Sequence, residues 1–170
     1  MSIKIFGAFL VLFGCSGFGF SMAAAQRREE RELRQLLKGL EYMECELQFH
    51  QTPLPQLCRM ASGVTVGSVQ DVLFSLAREL DKQMEPEPAG CMELVLQQRF
   101  RISLQVQGIL RSLGQTFGRF DLPGQLRGIA SVKGECQERI RELSDGRDSR
   151  LRSYQTLGIC AGAALAILFL

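Results

Sequence analysis

One histidine and six cysteines are the residues from which a metal site or a nucleophile would have to be built in this chain. Cys45, His50 and Cys58 stand near one another and have the softness of zinc ligands. A structural zinc site takes four ligands, and no fourth follows at a recognisable spacing. A Ser-His or Cys-His pair has only His50 to use as its base, and His50 falls where a helix is expected to end. Carboxylate pairs such as Glu41 and Glu44 would serve acid–base chemistry, but on a helix they read first as a solvated face. Cys15 and Cys160 lie inside apolar runs, and Cys45, Cys58, Cys91 and Cys136 show no CxxC-like spacing. Free, mostly buried thiols in a reducing compartment are therefore expected. The expectation is no catalytic residue, no metal and no cofactor.

The elements that would position any such residue begin with two uncharged runs. Residues 153–170 hold no charge over 18 positions, just enough helix, at about 1.5 Å per residue, to cross a roughly 30 Å hydrocarbon core. Residues 5–26 form a second uncharged run between Lys4 and the Arg27-Arg28 pair. Three readings compete for it. It is a retained transmembrane helix, a secretory signal cut after Ala23-Ala24-Ala25, or a lipoprotein signal with Leu12-Phe13-Gly14-Cys15 as its lipobox. Arginine placement favours the first. Arg27, Arg28, Arg31 and Arg34 follow the first run, and Arg147, Arg150 and Arg152 precede the second. The positive-inside rule then puts everything between the runs in the cytosol and both termini on the far side. Small residues recur in both runs: Gly7, Gly14 and Ser21 in one, and Gly158 with Gly162 as a GxxxG pair in the other. Such residues let helices approach closely in lipid, which leaves a homo-oligomer open.

The stretch between the runs reads as five or six short helices with no convincing strand. Leu33, Leu36, Leu37, Leu40, Met43 and Leu47 form a one-face stripe over residues 28–49, with Glu41 and Glu44 off it. Thr52-Pro53-Leu54-Pro55 ends that helix and starts a two-turn one, which Ser62-Gly63 is expected to break. Ser68 is expected to cap a third helix carrying Val69, Val72, Leu73, Leu76, Ala77 and Leu80. Helices follow over 89–98 and 100–117, separate or as one bent helix. Gly118 is expected to end the latter. Asp121 caps a sixth with Pro123 in its first turn, and Leu126, Ile129, Ala130, Cys136, Ile140 and Leu143 face inward. A kink is expected near Asp145-Gly146. The fold class is thus all-α. Residues 1–26 and 153–170 are transmembrane helices, and 27–152 a cytosolic bundle. The net charge of +2 is spread without a basic stripe, which argues against nucleic acid as a partner.

Three motifs carry a family resemblance. They are Thr52-Pro53-Leu54-Pro55-Gln56; Leu113-Gly114-Gln115-Thr116-Phe117-Gly118 with Asp121 and Gln125; and Tyr154-Gln155-Thr156-Leu157-Gly158 entering the last run. Together they resemble the stage III sporulation protein AB family of endospore-forming bacteria. Phe117 stands where the family usually has leucine, and the tryptophan usual near Met92–Leu94 is missing. The resemblance implies a component of the apparatus joining the mother cell to the engulfed forespore, in the mother-cell membrane. It also implies a fold like the cytosolic domains of the type II secretion F protein, and a secretion-type ATPase docking on the bundle. Other stage III sporulation membrane proteins would surround the spans. The alternatives are an enzyme at the membrane face, or a secreted or lipoprotein helical domain.

Overall fold

Antiparallel packing of the first helix against the last sets the architecture. The computed structural model describes the backbone of residues 2–50, 52–82, 87–98, 100–117 and 121–169, and the side chains of those stretches between 24 and 146. Six helices follow in order: α1 (Ser2–His50), α2 (Leu54–Val64), α3 (Ser68–Lys82), α4 (Pro88–Gln97), α5 (Leu104–Thr116) and α6 (Leu122–Phe169). Among the described residues every regular element is helical, as the sequence pattern predicts.

Two ion pairs fix the direction of α1 against α6. Glu29 accepts from Arg139 Nε at 2.8 Å, and Glu44 from Lys133 Nζ at 2.5 Å. Numbers rise along one helix as they fall along the other. The short connections then make each successive helix reverse direction. The bundle therefore has a stem end, where α1 comes in and α6 leaves, and a crown end opposite. The α2–α3 and α4–α5 connections lie toward the stem. The Val66 N–H donates to Gln35 Oε1 at 3.2 Å, the Ser103 N–H to Glu32 Oε2 at 2.9 Å, and Ser68 Oγ to the Arg101 carbonyl at 3.0 Å. The crown collects the end of α1 and the starts of α2 and α6.

The core is the meeting of the helix stripes. Leu33, Leu36, Leu40, Met43 and Leu47 of α1 are buried, with Leu37 packed on their flank. They meet Leu57, Cys58 and Ala61 of α2, Val69, Val72, Leu73 and Leu76 of α3, and Leu110, Leu113 and Ile129 from α5 and α6 in one cluster. Phe117 is fully buried. Gly114 is needed by close approach. A Cβ there would stand 2.8 Å from Met92 Cβ and 3.5 Å from Ala89 Cα, so only glycine lets α4 and α5 meet. Gly67, at φ 70°, occupies the left-handed region in the α2–α3 turn.

Several local expectations are corrected. Ser62-Gly63 does not break α2, which runs to Val64. Ser62 Oγ donates to the Arg59 carbonyl at 2.7 Å, and a Cβ at Gly63 would meet nothing. Ser68 is itself helical, with its hydroxyl turned to Arg101. α4 and α5 are separate. Gln98 is extended, and α5 starts at Leu104 because Ser103 caps it, accepting from the Val106 N–H. Phe117, in extended backbone, ends α5; Gly118 lies outside the described residues. Ala130 is exposed and Val132 takes the inward position. α6 is assigned without interruption past Asp145-Gly146. Arg59 and Arg111 pair across helices with Asp81 and Glu93.

The two uncharged runs belong to the ends of α1 and α6. The side chains of Gly7, Gly14, Arg150, Arg152, Tyr154, Leu157, Gly158 and Gly162 lie outside the described residues. Among the described residues no helix is long and apolar enough to cross a membrane.

The contrast between two glycines tests the packing. Gly114→Ala is expected to destabilise the bundle by about 1–3 kcal/mol through overpacking against Met92. Gly134→Ala, in open space inside α6, is expected to stabilise it by about 0.5–1 kcal/mol. Denaturation midpoints of the full chain in detergent, followed by circular dichroism, check both.

Candidate functional site

At the crown, the ends of three helices leave a groove of about 310 Å³ lined by Leu47, Thr52, Pro53, Leu54, Leu122 and Gln125. Its floor follows from local chemistry. Pro53 has φ −57° and ψ 142°, the extended conformation that precedes a helix, and its carbonyl accepts the Leu57 N–H at 2.9 Å. Pro55 then occupies a first-turn position where no backbone donor is missed. On the other wall Asp121 caps α6: its Oδ1 accepts the Gly124 N–H at 3.2 Å and its carbonyl the Gln125 N–H at 2.9 Å. Thr52 Oγ1 donates to Glu46 Oε2 at 3.3 Å, which holds the α1–α2 connection against α1. In the last turn of α1, Phe49 is 70% exposed, a large apolar side chain with no cover.

Two of the three sequence motifs converge here. Pro53 and Leu54 come from the first, and Gln125 from the second. Leu113, Gly114 and Phe117 do not reach the groove; they are buried and set the packing of α5. Tyr154, Leu157 and Gly158 of the third motif are not described. The groove is of mixed character, with Thr52 and Gln125 beside Leu47, Leu54 and Leu122.

The residues weighed for chemistry do not assemble. Cys45 is exposed, Cys58 is buried in the core, and His50 Nδ1 faces Glu46 Oε2 at 3.4 Å on the outside of α1. Among the described residues no group of three metal-ligating side chains exists. Burial pushes the Cys58 thiol from 9.0 up to about 12. It does the same to Cys136, with Glu135 adding to the shift, so neither is a nucleophile at neutral pH. Glu41 is exposed as expected, but Glu44 is half-covered by its pair with Lys133.

The residue that sequence reasoning missed is Glu32. It is buried, accepts Arg28 Nε at 2.9 Å, and its other oxygen takes the Ser103 N–H at the start of α5. In a capping box the acid at the third helical position reaches back to the cap's own N–H. Here that acid comes from α1, 71 positions away. No local pattern announces it.

The chain matches the stage III sporulation protein AB family over residues 4–170. It is 23% identical, over 172 residues and 99% of both chains, to the stage III sporulation protein AB of Bacillus subtilis strain 168. A solved structure of a stage III sporulation protein AB superposes with a TM-score of 0.61 at 18% identity, over 72% of this chain and 98% of that one. At that identity the superposition speaks to the fold alone.

The buried thiols predict an alkaline weakness. Both are neutral in the folded protein above pH 9.0, whereas an unfolded thiol ionises there. Their contribution is complete below the unfolded value and is lost as pH rises towards about 12. Urea midpoints measured between these limits should fall with pH. The fall should be shallower in Cys58→Ala/Cys136→Ala, even though that variant starts less stable.

Proposed function

The chain belongs to the stage III sporulation protein AB family, and on that footing we propose that it is a non-enzymatic membrane platform of the mother cell–forespore apparatus. The observation that carries the reading is the α1–α6 pairing. Glu29 with Arg139 and Glu44 with Lys133 set the two helices antiparallel, so the uncharged runs 5–26 and 153–170 are directed out of the same end. Two anchors on one side of a helical bundle leave the opposite end to the cytosol. The arginines that flank the runs, Arg27, Arg28, Arg150 and Arg152, support that orientation. In this reading the chain sits in the mother-cell membrane around the forespore, among other stage III sporulation membrane proteins.

The crown then becomes the docking surface for a secretion-type ATPase. Protein interfaces use exposed aromatics as anchors for a partner's pocket, and grooves as pockets for a partner's anchor. Phe49 and the groove of Leu54, Leu122 and Gln125 supply both. The platform role needs no reactive group.

Reporter domains within the bundle and at the C-terminus, tested for protease access in intact protoplasts, check the orientation. A protected bundle with exposed termini is expected. An exposed bundle would discard the platform reading. Phe49→Glu, at a 70% exposed position, is expected to abolish co-purification with the sporulation ATPase while leaving helicity unchanged. Retained binding would move the docking surface elsewhere.

A further inference from the structure

The stem end carries a feature that anchoring alone does not require. Leu104 is 82% exposed and Val66 62%, and they stand on the two connections at that end. Each is held in place by α1, Val66 through Gln35 and the start of α5 through Glu32. Leu104 is the first residue of α5 and lies off the buried stripe of Val106, Ile109, Leu110 and Leu113. Helical side chains lean toward the helix N-terminus, so Leu104 leans toward the stem.

Charge at this end points the same way. Glu29, Glu30 and Glu32 are engaged by Arg139, Arg34 and Arg28. Exposed Arg27, Arg31 and Arg101 have no acidic partner among the described residues. Beside exposed Asp71 and Asp145, the stem thus offers two apolar tips among guanidinium groups without acidic partners, a composition that binds an anionic lipid surface. Distance agrees as well. Glu32 lies five residues past Arg27, about 7.5 Å of helix, and the headgroup layer beyond the hydrocarbon is roughly 5–8 Å deep.

From these observations, and resting on the anchoring proposed above, we infer that the stem end lies directly on the bilayer. Val66 and Leu104 lodge among the lipid headgroups, and Arg27, Arg31 and Arg101 meet phosphates. The bundle then stands on the membrane at three places, the α1–α6 pair and the two connections, rather than swinging on its spans. That footing holds the crown at a fixed height and tilt.

The chain contains no tryptophan, so single reporters are unambiguous. The full chain is reconstituted into phosphatidylglycerol-containing vesicles as Leu104→Trp, Val66→Trp or Phe49→Trp, each with lipids spin-labelled at the headgroup. All three sites are exposed, so folding is not at stake, and flotation confirms membrane association. Emission of the first two variants is expected to be blue-shifted and quenched, and that of the third unchanged. If the chain floats but the stem reporters behave like Phe49→Trp, the inference is overturned while anchoring stands. Equal quenching of all three overturns it too, since the bundle then lies on its side. A chain that fails to float removes the anchoring and this inference together.

Discussion

The rest of the molecule depends on the contact between α1 and α6. Its energy comes from buried side chains such as Leu33, Leu40, Ile129 and Cys136, each large aliphatic one contributing about 1.5–3 kcal/mol. Apolar stripes do not by themselves distinguish one direction of packing from the other. Direction comes from charge: Glu29 meets Arg139 at one end and Glu44 meets Lys133 at the other. Partly exposed pairs of this kind add little stability. A reversed helix would still leave four half-buried charges unmatched, so the pairs select the antiparallel arrangement. Arg139 is held more firmly in its charged form by hydrogen bonds to Glu142 and Glu29.

The remaining helices are fastened to this pair by a few polar ties that carry information about register. Glu32 extends from α1 to the first N–H of α5, and Gln35 extends to the α2–α3 turn. Thr65 closes the same turn by donating to the Ala61 and Ser62 carbonyls, with its methyl 3.1 Å from where a Cβ at Gly39 would stand. Such ties put both connections at the stem and leave the crown to the starts of α2, α4 and α6, each with proline in its first turn. The ends differ accordingly. The stem carries arginines and apolar tips, and the crown has a groove of mixed character and the exposed Phe49 at the end of α1. A platform that meets lipid at one end and protein at the other needs that asymmetry.

Much of this was legible in the sequence where a signal is local. The leucine stripe of α1, the Pro53-x-Pro55 start and the Asp121 cap each follow from residues within a turn or two of one another, and each stands as read. The errors arise where distant contacts decide. Ser62-Gly63 looked like a break because glycine weakens a helix, but Ser62 bonds back to Arg59 and the helix continues. Glu32 had no local signal, and only the folded chain brings Ser103 to it. Ala130 and Val132 are both apolar and close to the stripe, so periodicity alone could not rank them. The groove was half legible: Pro53, Leu54 and Gln125 stood out as motif residues, with nothing to say that they would meet.

The central claim is that α1 and α6 pack antiparallel and leave the bundle together. Pulsed electron paramagnetic resonance on the full chain in nanodiscs tests it, with spin labels on exposed positions. A pair at Arg31 and Glu142 reports the stem, and a pair at Arg31 and Arg127 spans most of the height. The account predicts a short, narrow distance for the first and a clearly longer one for the second. A longer distance between Arg31 and Glu142 than between Arg31 and Arg127 would mean that the helices run parallel, and the two-anchor platform would fall with them.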